Sequence, residues 1–468
     1  GESKSGRIPL ETSFFPISSL PDNSYQNGDR VLAKIKEETK TGYNIEVIEK
    51  LPHIETTDQI FDQILSSYGF SAKFKEKTLK EALLIDKTIS STELKMRRDL
   101  RDLKTFTIDD VQAKDLDDAI SLCNEGDTYK LYVHIADVSH CIDPKGEIFK
   151  EAIERSTSIY PPGMVLPMLP SKLSNEVCSL NPHEDKLTKT CEITFDKFGN
   201  VLDYDIYKSI IHSDYKMAYH KVNKLLLIEE MDPDYLPFYQ ELVTMYQLSN
   251  ILQAKRLANG FVPLEDGDLE IEVNDSLAPV QVKNNERGPA QLIIENFMIA
   301  ANSIIAEYAY WLEMPFTYRN HEMPKVEKAK QLNHNLTQYN KKLGKLRTID
   351  NPKILQNLLI KLTKGKTKEE IKYISEIFLK SFPRANYAKE NLGHYGLSLP
   401  YYATFTSPIR RASDLLNHLF LDEVLCYNMS DQRLNNIKEH LEEVCLHISS
   451  QQISADKVEQ EINQELLY

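Results

Sequence analysis

Five aspartates fall within ten residues, at positions 109, 110, 115, 117 and 118, between two apolar stretches. Phe106-Thr-Ile leads into the cluster and Ala119-Ile-Ser-Leu leads away from it. The spacing predicts a loop anchored at both ends by strands packed on a core. Carboxylates held this close repel one another, and burying them uncompensated is costly. A chain that keeps them together needs a cation among them, and hard oxygen donors suit Mg²⁺ or Mn²⁺. The competing reading is a solvated acidic turn, which the apolar flanks disfavour. An EF-hand loop beginning at Asp115 would need glycine where Ile120 stands. A phosphoaspartate at 115 would be expected to end an apolar strand, but Ala113-Lys114 precede it.

A second constellation lies almost 300 residues further on, in Ala403-Thr-Phe-Thr406-Ser407-Pro408-Ile409-Arg410-Arg411. Ser followed by Pro predicts a helix start, with Ser407 as N-cap and Pro408 as first helical residue. Leu415, Leu416, Leu419 and Phe420 continue it with helical spacing. Arg410 and Arg411 then fall in the first turn, where the macrodipole is already positive. Free N–H groups with two guanidinium forks make a phosphate site; the alternative is that both arginines reach back to acidic loops. Aspartates for a metal and a fork for phosphate are what phosphodiester hydrolysis requires. One ion would generate the nucleophile, a second would stabilise the leaving oxygen, and Arg410 would neutralise charge on the phosphoryl oxygens.

Around these motifs, residues 30 to 51 alternate like a β-hairpin with a polar turn at Lys40 to Gly42, too small to stand alone. Residues 1–55 are therefore expected to be part of a small OB-like, cold-shock-like β-barrel, and 56–100 a helical linker. The signature Ser90-Ser-Thr-Glu93 predicts a capping box. Residues 101–425 read as one catalytic domain, strand-rich at first, helical after about 222, and strand-rich again near 393 to 406. Residues 426–468 are expected to form a C-terminal helical extension. The fold class is α+β (mixed α/β), a mixed sheet with surrounding helices. Ala290 to Met314 is the most apolar stretch, but it carries Glu295, Glu307 and Glu313 and reads as a buried helix. No window of about 18 residues is apolar and uncharged, so no membrane span is indicated. The N-terminal GESKSGRIPL lacks the apolar core of a signal peptide.

Cysteines at 123, 141, 178, 191, 426 and 445 include no CxxC pair, which favours free thiols in a reducing cytoplasm over disulfides or a zinc site. The net charge of −14 argues at first against nucleic acid, yet a metal-dependent nuclease needs carboxylates at its centre. Local basic clusters remain in Lys95-Met-Arg97-Arg98, Lys341-Lys342-Leu-Gly-Lys345 and Lys361 to Lys368. Charge alone decides nothing here.

The segments TIDDVQAKDLDDAISL, LYVHIADVSHCI, TSIYPPGMVLPMLPSKLSNEVCSLNP and GHYGLSLPYYATFTSPIRRASDL together resemble the ribonuclease II/ribonuclease R (RNB) catalytic domain. They occur in the family order over about residues 100 to 425. The resemblance implies a Mg²⁺-dependent exoribonuclease that hydrolyses single-stranded RNA from the 3′ end to nucleoside 5′-monophosphates and a short end product. It implies metal ligation by Asp109, Asp115, Asp117 and Asp118, with Asp117 most critical to chemistry, and a catalytic role for Arg410. It places base-stacking tyrosines at Tyr160 and Tyr219 and a sugar-proximal glutamate at Glu295. Arg411 is expected to assist Arg410 in holding phosphate. Two positions depart from the family pattern. Leu264 stands where a phenylalanine helps clamp a terminal base, and Ala412 replaces a tyrosine after the two arginines, which is expected to open space near the phosphate. The resemblance further implies OB-type barrels on both flanks. Only part of one is visible here, and the chain stops where the C-terminal barrel would begin. The sequence identifies no protein partner, other RNA-decay factors being the class to expect. Two other functions compete: an endonuclease or DNA-directed phosphodiesterase using the same metal chemistry, and an inactive RNA-binding scaffold.

Overall fold

The structure is a computed structural model that describes all residues except 1–6, 11–12, 20–30, 40–41, 51–56, 229, 231, 265–268, 275, 285–286, 340–350, 426–430 and 468. Strands β1 (Arg7–Leu10), β2 (Ser13–Ser19), β3 (Val31–Thr39) and β4 (Gly42–Lys50) form a sheet in the order β1-β2-β4-β3. The expected hairpin is β3–β4, antiparallel from Val31↔Lys50 to Thr39↔Gly42. Lys40 and Thr41 of its turn lie outside the described residues. Three helices follow, α1 (Thr57–Ser67), α2 (Glu76–Leu83) and α3 (Ser91–Met96). Ser90 caps α3 by accepting the Glu93 N–H at 3.2 Å. The return arm of the box gives way to a stronger partner, because the Glu93 carboxylate takes the Arg97 guanidinium at 2.6 Å.

The central sheet is built from β5 (Arg98–Asp99), β6 (Phe106–Asp109), β7 (Asp118–Asn124), β8 (Thr128–Ala136), β9 (Asp185–Asp196), β10 (Val201–His212) and β11 (Tyr215–Ala218). Its order is β11-β6-β7-β8-β9-β10-β5. The middle is an antiparallel meander, and both edge pairs, β11–β6 and β10–β5, are parallel. Between β8 and β9 the chain forms α4 (Val138–Cys141), α5 (Glu147–Arg155) and a π-helical turn, Lys172–Val177. Leu131, Val133, Ile135, Cys191, Ile193 and Phe195 are buried on alternate positions of β8 and β9.

The helical half comprises α6 (Tyr219–Leu226), α7 (Tyr239–Asn259), the hairpin β12 (Leu269–Val273) with β13 (Pro279–Asn284), and α8 (Pro289–Trp311). It continues through β14 (Tyr318–Asn320), α9 (Val326–Tyr339), α10 (Pro352–Thr363), α11 (Lys368–Leu379), β15 (Asn386–Ala388), α12 (Ala412–Leu425) and α13 (Asp431–Leu467). The apolar stretch after Ala290 is α8, and its Ile293, Phe297, Ala301, Ile305 and Ala309 recur every fourth residue inside the main core. The strands expected near 393 to 406 are absent. That segment makes single bridges only (His321↔His394, His394↔Leu399, Tyr318↔Ala403), since Gly393, Gly396 and Pro400 interrupt any ladder. Leu441, Cys445 and Ile448 of α13 pack into the main core. Ala455, Val458, Ile462 and Leu466 close a second cluster with Phe61, Ile64 and Leu65 of α1. The last helix is thus a clasp across the body.

Candidate active site

Asp109 ends β6 and Asp118 begins β7, so the two strand ends present carboxylates to the same gap. The loop between them is fixed through its own backbone. Ser179 Oγ donates to the Lys114 carbonyl (2.7 Å) and accepts the Leu116 N–H (3.1 Å). The Leu116 carbonyl accepts from Leu180 N–H and the Asp117 carbonyl from Ala136 N–H. On the other side, Lys216 Nζ donates to the carbonyls of Val111 (3.0 Å) and Ala113 (2.5 Å). Leu116, fully buried, pins the loop to the core. Asp110 is the exception among the five aspartates. It is exposed, and its carboxylate accepts the Gln112 N–H at 2.9 Å in an Asx-turn.

Three of the other four, Asp109, Asp117 and Asp118, are pushed upward, burial being the largest cause for each. Burial, then Asp118 and Asp115, push Asp109 up to about 7. Burial lifts Asp118 to about 6, with Arg410 and Arg411 opposing. Asp117 is only 3% exposed, and burial holds it well above the usual carboxylate range, against the pull of Arg410 and of the Ile409 N–H. The positive charge within the site falls short of the negative.

Arg410 reaches this cluster from the far end of the chain. The Ile409 N–H donates to Asp117 Oδ1 at 2.7 Å, and Arg410 Nε lies 3.4 Å from Asp117 Oδ2. The expected helix start is displaced: Pro408 to Arg410 form a turn, and α12 begins at Ala412. The Arg410 and Arg411 N–H groups return to the Ser407 carbonyl, so the backbone donor left for an anion is that of Ile409, and Asp117 takes it. The two arginines also part company. Arg411 Nη2 pairs with the buried carboxylate of Asp414 at 3.2 Å, while the Arg410 side chain remains 41% exposed. Arg411 is thereby tied to a buried carboxylate, with its side chain 23% exposed. Ala412 opens no space: it is fully buried, and its N–H donates to the Ser156 carbonyl.

Tyr160 lies beside the site. Its segment pairs with the arginine turn through the Ser158 N–H and the Arg410 carbonyl (2.9 Å). Its hydroxyl donates to Asp115 Oδ2 at 2.5 Å, and the residue is 40% exposed. Tyr219, half-buried, opens α6 directly after Ala218, which pairs with Asp109 in the β11–β6 register. Its phenol is pushed up by burial and by Asp109 and Asp118. Glu295 is held elsewhere, its carboxylate accepting from Arg256 (3.3 Å) and facing Arg287 (3.6 Å); none of these contacts joins it to the aspartates. Leu264 packs against the α9–α11 cluster. Part of the charge in the basic clusters is paired within the protein. Arg97 pairs with Asp137 and Glu93, and Arg98 with Asp205 and Glu192. Lys366 pairs with Glu370, and Lys341 to Lys345 lie outside the described residues.

Four contributors went unnoticed in the sequence: Ser179, Lys216, the Ile409 N–H and Asp414. Asp414 had a local signal, an acidic residue in the first turn of a helix. The others act through backbone contacts that leave no periodicity.

Comparison with known proteins decides the family. The RNB domain profile matches residues 97–427, well over half of the 468-residue chain. The chain belongs to the RNB family. It is 36% identical over 453 residues to ribonuclease R of Aquifex aeolicus, covering 95% of this chain and 63% of that protein. The chain therefore spans less than two-thirds of that relative's length. Among solved structures, Mycoplasma genitalium RNase R in complex with ribose-methylated single-stranded RNA superposes with a TM-score of 0.84 at 25% identity, over 98% of this chain and 74% of that one. Yeast Ssd1, a pseudonuclease, has the same fold (TM-score 0.73, 19% identity, 93% of this chain and 54% of that one). An RNB fold alone thus does not guarantee hydrolysis, and the side chains of the site must carry the argument.

Among the described residues, no three His, Cys, Asp or Glu side chains are gathered tightly enough to enclose an ion as they stand. The donors nevertheless fit a hard divalent cation. Asp109 Oδ2 and Asp117 Oδ2 are buried with no hydrogen-bond partner. Mg²⁺ keeps several waters and takes one or two carboxylates plus substrate phosphate, so a closed cage is not required.

Proposed function

We propose that this RNB chain is a divalent-metal-dependent hydrolase that degrades single-stranded RNA from its 3′ end, releasing nucleoside 5′-monophosphates and a short end product. The observation that carries the reading is the meeting of Arg410 and the Ile409 N–H with Asp117 inside the aspartate cluster. Asp109, Asp115, Asp117 and Asp118 are the residues that would hold Mg²⁺ or Mn²⁺. A divalent cation there would stabilise charge on the phosphoryl oxygens and lower the pKa of the attacking water. Asp117 orients the turn that carries Arg410, and the exposed face of the Arg410 fork donates to a phosphoryl oxygen as negative charge grows on it. Tyr160 offers a ring for base stacking, tethered through its hydroxyl to a proposed metal ligand. Glu295, on α8, is assigned to the substrate sugar, with Arg256 and Arg287 holding its carboxylate. Four intact aspartates and Arg410 weigh against an inactive scaffold, because mutually repelling carboxylates have no structural use.

The deciding experiment incubates 5′-labelled single-stranded RNA with Mg²⁺ and resolves the products over time. A ladder shortening from the 3′ end is expected, with circular or 3′-blocked RNA left intact; cleavage of the circle would make the enzyme an endonuclease. Activity is expected with Mg²⁺ or Mn²⁺ and not with Ca²⁺, which prefers looser, larger coordination. Full activity in excess chelator would end the metal assignment.

Tyr219 is expected to set where degradation stops. Base–aromatic stacking is worth about 1–3 kcal/mol per base, a small share of binding for a long RNA and a large one for the last few nucleotides. Tyr219→Ala should release a longer end product at a similar initial rate. If Tyr219 is only a packing residue, the melting temperature falls and the ladder is unchanged; a fully buried aromatic would cost about 3–5 kcal/mol.

A further inference from the structure

Ser407 is 2% exposed, and its N–H, its carbonyl and its hydroxyl oxygen are all hydrogen-bonded. Its N–H donates to Asp414 Oδ1 at 2.8 Å, and its carbonyl accepts the N–H groups of Arg410 (3.3 Å) and Arg411 (2.9 Å). Its Oγ accepts from Arg410 Nη2 at 2.9 Å and from Arg411 Nη2 at 2.8 Å. Both hydroxyl lone pairs are therefore taken by guanidinium groups. Arg411 is locked to the buried Asp414, so Ser407 Oγ is a fixed point, while Arg410 is the long, part-exposed partner that it steadies. Among the described residues, the other anchor on the Arg410 guanidinium is the 3.4 Å approach of Nε to Asp117.

We infer that Ser407 is a positioning residue for Arg410, its hydroxyl joining the buried Arg411–Asp414 pair to the reactive fork. This rests on the proposed role of Arg410 in RNA hydrolysis. With the hydroxyl gone, the guanidinium keeps one contact and samples rotamers that miss the phosphoryl oxygen. A displacement of about 1 Å in a positioned group can cost on the order of 10²-fold in rate.

The test uses Ser407→Ala, Ser407→Thr and Arg410→Lys, singly and combined, with labelled single-stranded RNA. Ser407→Ala is expected to lower kcat on the order of 10-fold to 10²-fold with KM and melting temperature near wild type, as for other residues that orient a reacting group. Ser407→Thr, which keeps the oxygen, should recover most of the rate. In the Arg410→Lys background Ser407→Ala should cost less than about threefold, because the partner through which it acts is gone. Equal losses in both backgrounds, or a lowered melting temperature that Ser407→Thr restores without restoring kcat, would overturn the inference. If Ser407→Ala does not fold, the kcat of Ser407→Thr and of Ser407→Cys, which offers only a weak sulfur acceptor, decides in its place. Equal rates for those two overturn the inference, and a large loss in Ser407→Cys alone supports it. Wild-type protein with no nuclease activity would instead refute the proposed function, a result distinguishable from all of these.

Discussion

Asp117→Asn is expected to abolish hydrolysis while leaving RNA binding close to wild type. The substitution conserves shape and removes one charge from the cluster. It also acts on the arginine, because Asp117 accepts the Ile409 N–H on one oxygen and faces Arg410 Nε with the other. An amide that keeps the first contact turns its NH₂ toward the guanidinium, donor against donor. Stability should not suffer. The carboxylate is buried and short of positive partners, and Arg410 is exposed enough to be solvated without it. The measurement is initial rate and RNA affinity on the same preparation, with melting temperature as control. Retention of more than about a tenth of the wild-type rate, a loss under roughly 1.4 kcal/mol, would remove Asp117 from the chemistry.

Arg410→Lys is expected to cost on the order of 10² or more in rate although charge is conserved, the size of effect seen on losing a transition-state donor. A lysine cannot touch Ser407 with one nitrogen, face Asp117 with another and still present a planar fork to phosphate. Arg411→Ala should fail differently. It strands the buried Asp414 carboxylate, and breaking a buried pair costs about 3–5 kcal/mol, so the melting temperature should fall. Near-wild-type activity in Arg410→Lys, with Arg411→Ala inactive yet fully stable, would show that the two roles are reversed.

What the sequence by itself determined was whatever is written in local spacing. Two apolar runs around the aspartates placed Asp109 and Asp118 on strand ends, four-residue periodicity placed the core helix after Ala290, and Ser90 with Glu93 placed a cap. The family motifs, being contiguous, were legible too. The tertiary structure alone decided how the charges are spent. The Ile409–Asp117 contact joins residues 292 apart, and nothing within either segment encodes it. Arg410 and Arg411 are adjacent and chemically identical, yet one faces the aspartates and the other Asp414, because neighbouring residues on the turn point in different directions. Asp110 is excluded from the cluster by an Asx-turn, and Glu295 and the basic run at 97–98 are neutralised by partners from distant strands and helices. Periodicity fixes which face of an element is buried. Electrostatic pairing depends on what the rest of the fold brings within about 4 Å of each charge, and that distance exists only once the chain has closed on itself.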